Sequence, residues 1–457
     1  MQRILLLFLL IATAGSLSAQ TEYRVGTGKA IVTDPACGLG MVGFADDKQK
    51  TNGIDLRLYA RTFIVEHKAT SKRVVFMNAD LWALPHAVKR SVLLKLKQKY
   101  GATYTYDNCH FSATHTHSGP GGYSEYNLYN YTIGGFDQTN FNLIVNGIVR
   151  SIGYAHDRLA DGNVYYGETT IDDCGRNRSV PAYNRNPLTE QQRYPYRFKT
   201  DNTLYLLKFT QLKSGRETPV GALSWYALHP TDRGQANTKI SGDNKGYASS
   251  LLEKKYSKFT AAFANGSAGD VSGNVEFGKI PDGINDQRNV EKHGTQQANA
   301  AIRILNNRMT KLTGKIEYRH QFWDMSKRTR TPGGLGVSFG AGSSEDSDPG
   351  SGLKEGITVD DINNGTLAKS DKLIKDIADF GVRTVTTLSS TEDRAQFPKP
   401  VLVYTGKPSF KGASLTPNVL PFQIIQLGQI AITGIPAEIN TMAGRRVQDK
   451  VKNNLSG

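Results

Sequence analysis

The sequence predicts a mixed α/β fold: a sandwich of mixed β-sheets flanked by helices, built as a single large domain. Three observations carry this. Strand-like and helix-like apolar patterns alternate from one end of the chain to the other, which points to a layered architecture of sheets and helices. The chain has 457 residues, 38% hydrophobic and 21% charged, enough to bury a large core. That composition excludes a disordered tail, a collagen-like repeat and a small disulfide scaffold. Neither a fixed-period repeat nor a heptad pattern is present, so solenoid and coiled-coil folds are excluded too.

The first 19 residues read as a signal peptide rather than as part of the fold. Arg3 supplies a positive start, Ile4–Ala12 is an unbroken apolar run, and Ser16, Ser18 and Ala19 lead into Gln20. Such a run is too short to span a bilayer as a helix but suits an export signal. The expectation is cleavage near Ala19, a single folded domain over 20–457, and a mature protein that is periplasmic or secreted. Strands are predicted at Arg61–Glu66, Arg73–Asp80, Asn108–Thr114, Asn163–Asp172, Thr203–Gln211, Val220–Leu228 and Phe259–Ala264. Later strands are Gly314–Trp323, Val401–Tyr404, Phe422–Leu427 and Ile430–Ile435. Helices are predicted at His86–Tyr100, with Gly101 as its stop, then Phe141–Leu159, Asn244–Ser257, Asn285–Asn307 and Ser370–Phe380. Residues 328–357, rich in Gly, Ser and Pro, read as a long internal loop.

Lys and Arg number 56 against 41 Asp and Glu, a formal charge of +15. The bias is spread along the chain. Its short clusters, Lys95, Lys97, Lys99 and Lys254, Lys255, Lys258, read as solvated helix faces. No basic run is interleaved with base-stacking aromatics, so nucleic acid is not an expected partner. Cys37, Cys109 and Cys174 form no CxxC pair. Export permits one disulfide among them, and the reading preferred here is three buried small hydrophobes.

Five stretches could carry chemistry. Phe111–Gly122 brings an apolar strand into His115 and His117, which at i and i+2 project to one side of an extended chain. They are either satisfied structural histidines or a metal or catalytic pair. Trp225–Thr231 again ends an apolar strand on a histidine, His229, before Pro230. Ser241–Gly246 is a polar turn feeding a helix, with Asp243 or Asn244 as its N-cap. Asn265–Asn274 is a small-residue loop carrying Asp270 and Ser272. It lacks the glycine spacing of a nucleophile elbow, so it is either a tight turn or a place where a ligand approaches backbone. Ile432–Arg446 ends a strand at Pro436 and places Glu438 ahead of a basic helix. Glu438 is either a helix-start charge or the carboxylate that completes, with His115 and His229, a His₂Glu zinc set with an open position.

In this order the five stretches resemble the neutral (non-lysosomal) ceramidases, amidases that cleave the N-acyl bond of ceramide. Gly53–Arg61, Asn177-Arg178-Ser179 and Pro417–Pro421 add to the likeness, which runs from Val25 to Arg446. The resemblance implies Zn²⁺ held by His115, His229 and Glu438, and a second histidine, His117, that handles protons beside it. It further implies an active-site arginine at Arg178. Ser272 falls on the serine of the family's Gly-Asp-Val-Ser-Pro-Asn hexapeptide, as either nucleophile or a group binding the sphingoid hydroxyls. The second role is preferred, because zinc chemistry already supplies an activated water. Gly273 stands where that hexapeptide has proline.

The reaction so implied is hydrolysis of ceramide, or a close N-acyl sphingoid lipid, to sphingosine and a fatty acid. His117 would act as base toward water and acid toward the leaving amine. The substrate is neutral and does not explain the surplus positive charge, which suits contact with an anionic membrane surface. Two alternatives are a metal amidase for another N-acyl lipid and a catalytically impaired lipid-binding relative. The second is raised because the family continues past the point matched by Gly457 with a tyrosine ligand, a second tyrosine and an immunoglobulin-like domain. If 457 residues is the whole protein, the expectation is a chain folded around its histidines but weakly active or inactive.

Overall fold

The computed structural model describes residues 21–33, 37–194, 199–273, 283–327, 333–336, 401–404, 408–409 and 413–455. The signal-peptide reading, the predicted helix Ser370–Phe380 and most of the 328–357 loop lie outside them. Strands β1 (Tyr23–Ile31), β2 (Tyr59–His67), β3 (Arg73–Ala79), β4 (Cys109–Ala113), β5 (Ala160–Thr170), β6 (Thr203–Lys213), β7 (Arg216–Tyr226) and β8 (Thr260–Asn265) form one large sheet. Their order is β8-β7-β6-β5-β1-β2-β3-β4, with the short strand Thr310–Lys311 paired to β5. The outer pairs β3–β4 and β7–β8 are parallel, and the pairs between them are antiparallel. Parallel neighbours need a crossover. Helix α1 (His86–Tyr100) supplies one, and helix α3 (Asp243–Lys255) the other.

The sheet folds over on itself. β1 meets β5 through only three residue pairs, Tyr23–Val25 against Ala160–Gly162. Beyond that joint, Phe63 of β2 stacks on Phe209 of β6 with ring centroids 4.7 Å apart, although β1 and β5 lie between those strands in the sheet order. Two β-layers therefore face each other. α1 and helix α2 (Gln138–Asp157) cover one outside face, and α3 with helix α4 (Gly283–Asn306) covers the other. This four-layer stack agrees with the predicted sandwich.

Strands buried on both faces should read as continuous apolar runs, with alternate residues serving different cores. β2 does so: Phe63 and Val65 join the cluster between the β-layers, while Ile64 joins the cluster under α1 and α2. β8 repeats this, with Ala261 and Phe263 under α3 and α4 and Ala262 and Ala264 facing the other layer. A smaller antiparallel sheet, β9 (Ile316–Asp324), β10 (Val419–Leu427) and β11 (Ile430–Gly434), packs on the inter-layer core through Ile316, Ile425 and Leu427. Helix α5 (Thr441–Leu455) follows it. Within the described residues, no helix is long and apolar enough to cross a membrane.

Several details differ from expectation. β1 was not anticipated. α3 begins at Asp243 with Gly242 as N-cap and no side-chain cap bond, so neither Asp243 nor Asn244 caps it. α2 starts earlier than predicted, because the Asp137 side chain accepts the Asn140 N–H at 2.7 Å. All three cysteines are free thiols; Cys109 and Cys174 are buried, but Cys37 is exposed.

Candidate active site

His115 lies two residues beyond β4, and His229 lies three beyond β7. These are the C-terminal ends of strands in the two parallel pairs, the usual address of ligand sites in α/β sheets. Folding the sheet brings the two ends together, and the two imidazole centroids are 4.9 Å apart. His115 is held in the left-handed region at φ 72°, an uncommon conformation for a side-chain-bearing residue. Its N–H donates to the Leu81 carbonyl at 2.8 Å.

Each ring is oriented by a backbone carbonyl. His115 Nδ1 donates to Trp82 O at 2.7 Å, and His229 Nδ1 donates to Ala268 O at 2.6 Å. With Nδ1 committed as donor, a neutral ring presents its Nε2 lone pair to the site. Both lone pairs face one carboxylate: Glu438 Oε1 is 3.3 Å from His115 Nε2, and Oε2 is 3.4 Å from His229 Nε2. Burial and the Arg178 charge pull His229 down to about 4, so it is neutral near pH 7. Positive charge shared with His115 and His229, as a proton or a cation between the rings and the carboxylate, holds the Glu438 carboxyl well below the usual range despite its partial burial.

Lone pairs set against an ionised carboxylate repel unless a proton or a cation lies between them. A tetrahedral ion with ligand bonds of about 2.0–2.2 Å would space its ligand atoms roughly 3.4 Å apart, close to the separations observed. Neutral imidazoles whose second nitrogen is hydrogen-bonded are the usual form of metal-binding histidine. The donor set therefore fits zinc.

His117 adds a third imidazole, its Nε2 3.2 Å from His115 Nε2. The ligand atoms of His115, His117 and His229 all lie within 4.8 Å of one another. Burial and the two neighbouring imidazoles hold His117 well below its ordinary value, and its buried Nδ1 has no partner among the described residues. The ring packs edge-on against Phe44 at 4.7 Å, and a side chain on Gly43 would collide with it.

The loop Asn265–Gly273 ties the site together. Asp270 Oδ1 accepts from Thr441 N and Oγ1, both at 2.7 Å, and so fixes the start of α5 just after Glu438. Its Oδ2 accepts from Asn177 Nδ2 at 2.9 Å, and its carbonyl from Arg178 N at 2.8 Å. Arg178 Nη2 donates to Gly269 O at 3.0 Å. Gly269 N donates to Ile439 O, and a side chain on Gly269 would meet the Glu438 backbone. Glycine is required here by that close approach.

A crevice of about 880 Å³ runs between the large and small sheets, with His115, His229 and Glu438 in its wall. Trp82, Tyr129, Tyr205, Trp225 and Ile432 are among its other lining residues. His117, Arg178 and Ser272 are not. Ser272 is fully buried in the two-residue strand Val271–Ser272, opposite Arg176, and the neighbouring Val271 carbonyl accepts the His229 N–H at 3.0 Å. Ser272 was expected in the metal cavity as a substrate-binding group; it is fully buried in a short strand and is not among the residues that line the crevice.

Sequence reasoning missed Trp82, Ala268, Gly43 and Phe44. The first two act through main-chain oxygens and leave no residue signature. Gly43 carries only the generic signal of a glycine at positive φ, 138°.

Residues 23–282 and 277–457 match the family described as neutral/alkaline non-lysosomal ceramidase, N-terminal. The neutral ceramidase of Pseudomonas aeruginosa is 35% identical over 467 residues, covering 98% of this chain and 66% of that protein. The neutral ceramidase of Drosophila melanogaster is 31% identical, covering 98% of this chain and 68% of its own length. A solved structure titled "Ceramidase complexed with C2" superposes with a TM-score of 0.81 at 35% identity, over 95% of this chain and 66% of that one. The crystal structure of neutral ceramidase from Pseudomonas aeruginosa gives a TM-score of 0.77 at 34% identity, over 95% of this chain and 65% of that one. The fold and the clustered imidazoles define an α/β protein with a metal-type site, and the chain belongs to the neutral/alkaline non-lysosomal ceramidase family. It spans about two thirds of the length of these relatives.

Proposed function

We propose that this chain carries the active site of a zinc-dependent amide hydrolase that cleaves ceramide to sphingosine and a free fatty acid. The observation that carries the reading is the convergence of His115, His229 and Glu438 on one point in the wall of a crevice lined with apolar and aromatic groups. These three residues would hold the ion. When bound, Zn²⁺ supplies Lewis-acid polarisation of the amide carbonyl and lowers the pKa of water toward neutrality.

The rest falls to the protein's own groups. His117 is kept neutral by burial, so its imidazole can accept a proton during attack and return it to the leaving amine. Arg178, hydrogen-bonded to Gly269 O, holds positive charge beside His117 and His229 and favours the neutral forms of those two. Ser272, fully buried and outside the crevice lining, is assigned no nucleophilic role. The aromatic crevice takes the apolar chains and excludes water from the scissile bond. Ceramide is drawn from lipid, and the surplus of basic residues suits contact with an anionic membrane surface. The working location proposed is periplasmic or extracellular, on the strength of the leader-like residues 1–19.

The test is release of fatty acid from N-acylsphingosine by the purified chain, before and after chelation, beside a panel of other N-acyl lipids. Ceramide cleavage that is lost on chelation and restored by Zn²⁺ is the expected result. Turnover indifferent to chelation would overturn the metal reading. Preference for another N-acyl lipid would move the substrate assignment.

A further inference from the structure

A buried polar cluster lies under the site and takes no part in the chemistry above. Asp243, Asn244 and Lys245 open α3, and all three are fully buried. Two further buried groups, Asp232 and His293, pair at 2.9 Å beside them. Burying this many polar and ionisable groups is expensive, and an apolar core of the same volume would cost less. The expense is visible: burial draws the Lys245 ammonium down to about 7, and burial with the neighbouring Asp232 raises Asp243 to about 7. Asp243 also sits at φ 54°, a strained backbone for an aspartate.

The hydrogen bonds show what the cluster holds. Lys245 Nζ donates to Tyr226 O at 3.0 Å, to Ala264 O at 3.3 Å and to Gln297 Oε1 at 3.4 Å. Tyr226 ends β7 and Ala264 lies one residue from the end of β8, and these two strands are parallel. One ammonium therefore bridges the same end of both strands. The chain leaving Tyr226 reaches His229, and the chain leaving Ala264 reaches Ala268, whose carbonyl orients the His229 ring. Asn244 completes the grip. Its Nδ2 donates to His229 O at 3.2 Å and to Asp232 Oδ2 at 3.0 Å, and its Oδ1 accepts from Gln297 Nε2 at 3.1 Å. The Asp243 carboxylate accepts the Asp232 and Arg233 N–H groups, at 3.2 and 2.9 Å, and so fixes the segment that follows His229.

We propose that Asn244 and Lys245 are positioning residues for His229, setting both its main chain and the Ala268 carbonyl that fixes its ring. Neither touches the crevice; each acts through the two chain segments that converge on the imidazole. The proposal rests on the reading of His229 as a metal ligand. It accounts for the Gly-Asp-Asn-Lys-Gly stretch, which as a helix cap alone would have no need of a buried lysine.

The experiment measures Zn²⁺ affinity of the metal-free chain by competition with a chelating dye, alongside thermal unfolding of the same samples. Lys245→Met keeps the side-chain stem and removes the donor. Asn244→Asp keeps the shape but turns an oxygen toward His229 O, and it keeps the test readable if Lys245→Met does not fold. Leu252→Ala, a buried apolar truncation in the same helix, reports loss of stability alone. Both polar variants should bind Zn²⁺ about 10–100-fold more weakly, while Leu252→Ala lowers the melting temperature and keeps its affinity. Affinity unchanged in the polar variants would overturn the proposal. So would an equal loss in Leu252→Ala at a matched fall in stability. A parent chain that binds no Zn²⁺ would overturn the metal reading itself, a separate result from intact binding in the variants.

Discussion

Glu438 Oε1 lies 3.3 Å from His115 Nε2, although one residue follows the small sheet and the other follows an edge strand of the large one. That distance depends on the whole fold: the large sheet must double over, and the small sheet must dock on its inner core. Three connections hold the meeting in place, the Trp82 carbonyl on His115, the Ala268 carbonyl on His229 and Asp270 at the start of α5. Each can be perturbed without deleting a ligand.

Gly43→Ala should reduce turnover far more than it reduces metal content. The added methyl group collides with the His117 ring and burdens a backbone already at φ 138°. Displacing a proton-handling group by about 1 Å can cost roughly 10²-fold in rate. Steady-state kinetics and metal analysis on one preparation check this.

Ser272→Ala should leave Zn²⁺ bound and lower turnover by about tenfold, or ~1.4 kcal/mol of barrier. The loss arises because Ser272 is fully buried next to Val271, whose carbonyl holds the His229 N–H. Rapid-quench analysis of the parent should find no acyl group on Ser272. A trapped acyl-serine would reverse that assignment.

Arg61 is 2% exposed and joins two carboxylates, Asp80 at 2.6 Å and Glu253 at 2.9 Å. Arg61→Leu strands the Asp80 charge in the interior and leaves Glu253 with Lys29 at 2.8 Å as its cationic partner, and breaking a buried pair in this way costs about 3–5 kcal/mol. Denaturant unfolding should show a shift of that size. The variant should keep the zinc affinity of whatever fraction folds.

Acid should weaken the fold. Burial holds His110 down to about 4, with Lys89 adding to the effect, while its ordinary value is about 6.5. Between those values the unfolded chain takes up a proton that the folded chain refuses. The contribution is fully present above about pH 6.5 and is lost as pH falls toward 4, by up to about 3 kcal/mol. Urea unfolding at about pH 7 and about pH 5 should show this fall, and His110→Gln should remove part of it.

Much of the fold was legible because the strands are buried on both faces and carry unbroken apolar runs. β1 was not, and Gly26 and Gly28 explain why. The α2 backbone at Ala155 and Ser151 crosses so closely that neither position tolerates a side chain. A strand built to admit a helix backbone loses the hydrophobic signal that would reveal it. The candidate-site residues could be picked out in the sequence because His115 and His229 closely follow apolar strands and Glu438 precedes a basic helix. The groups that orient them were not, because carbonyl oxygens of Trp82 and Ala268 have no side-chain identity. For Ser272 the small-residue loop left a tight turn and a ligand approach both open; the structure has it fully buried in a short strand next to the Val271 carbonyl that holds the His229 N–H.

His115, His229 and Glu438 are proposed to hold one zinc ion. Calorimetric titration of the metal-free chain with Zn²⁺, set beside the Glu438→Gln variant, tests it most directly. The account predicts one tight site per chain and a loss in the variant exceeding the ~10²-fold that removal of an outer hydrogen-bond partner costs. Equal affinity in the two proteins would contradict it.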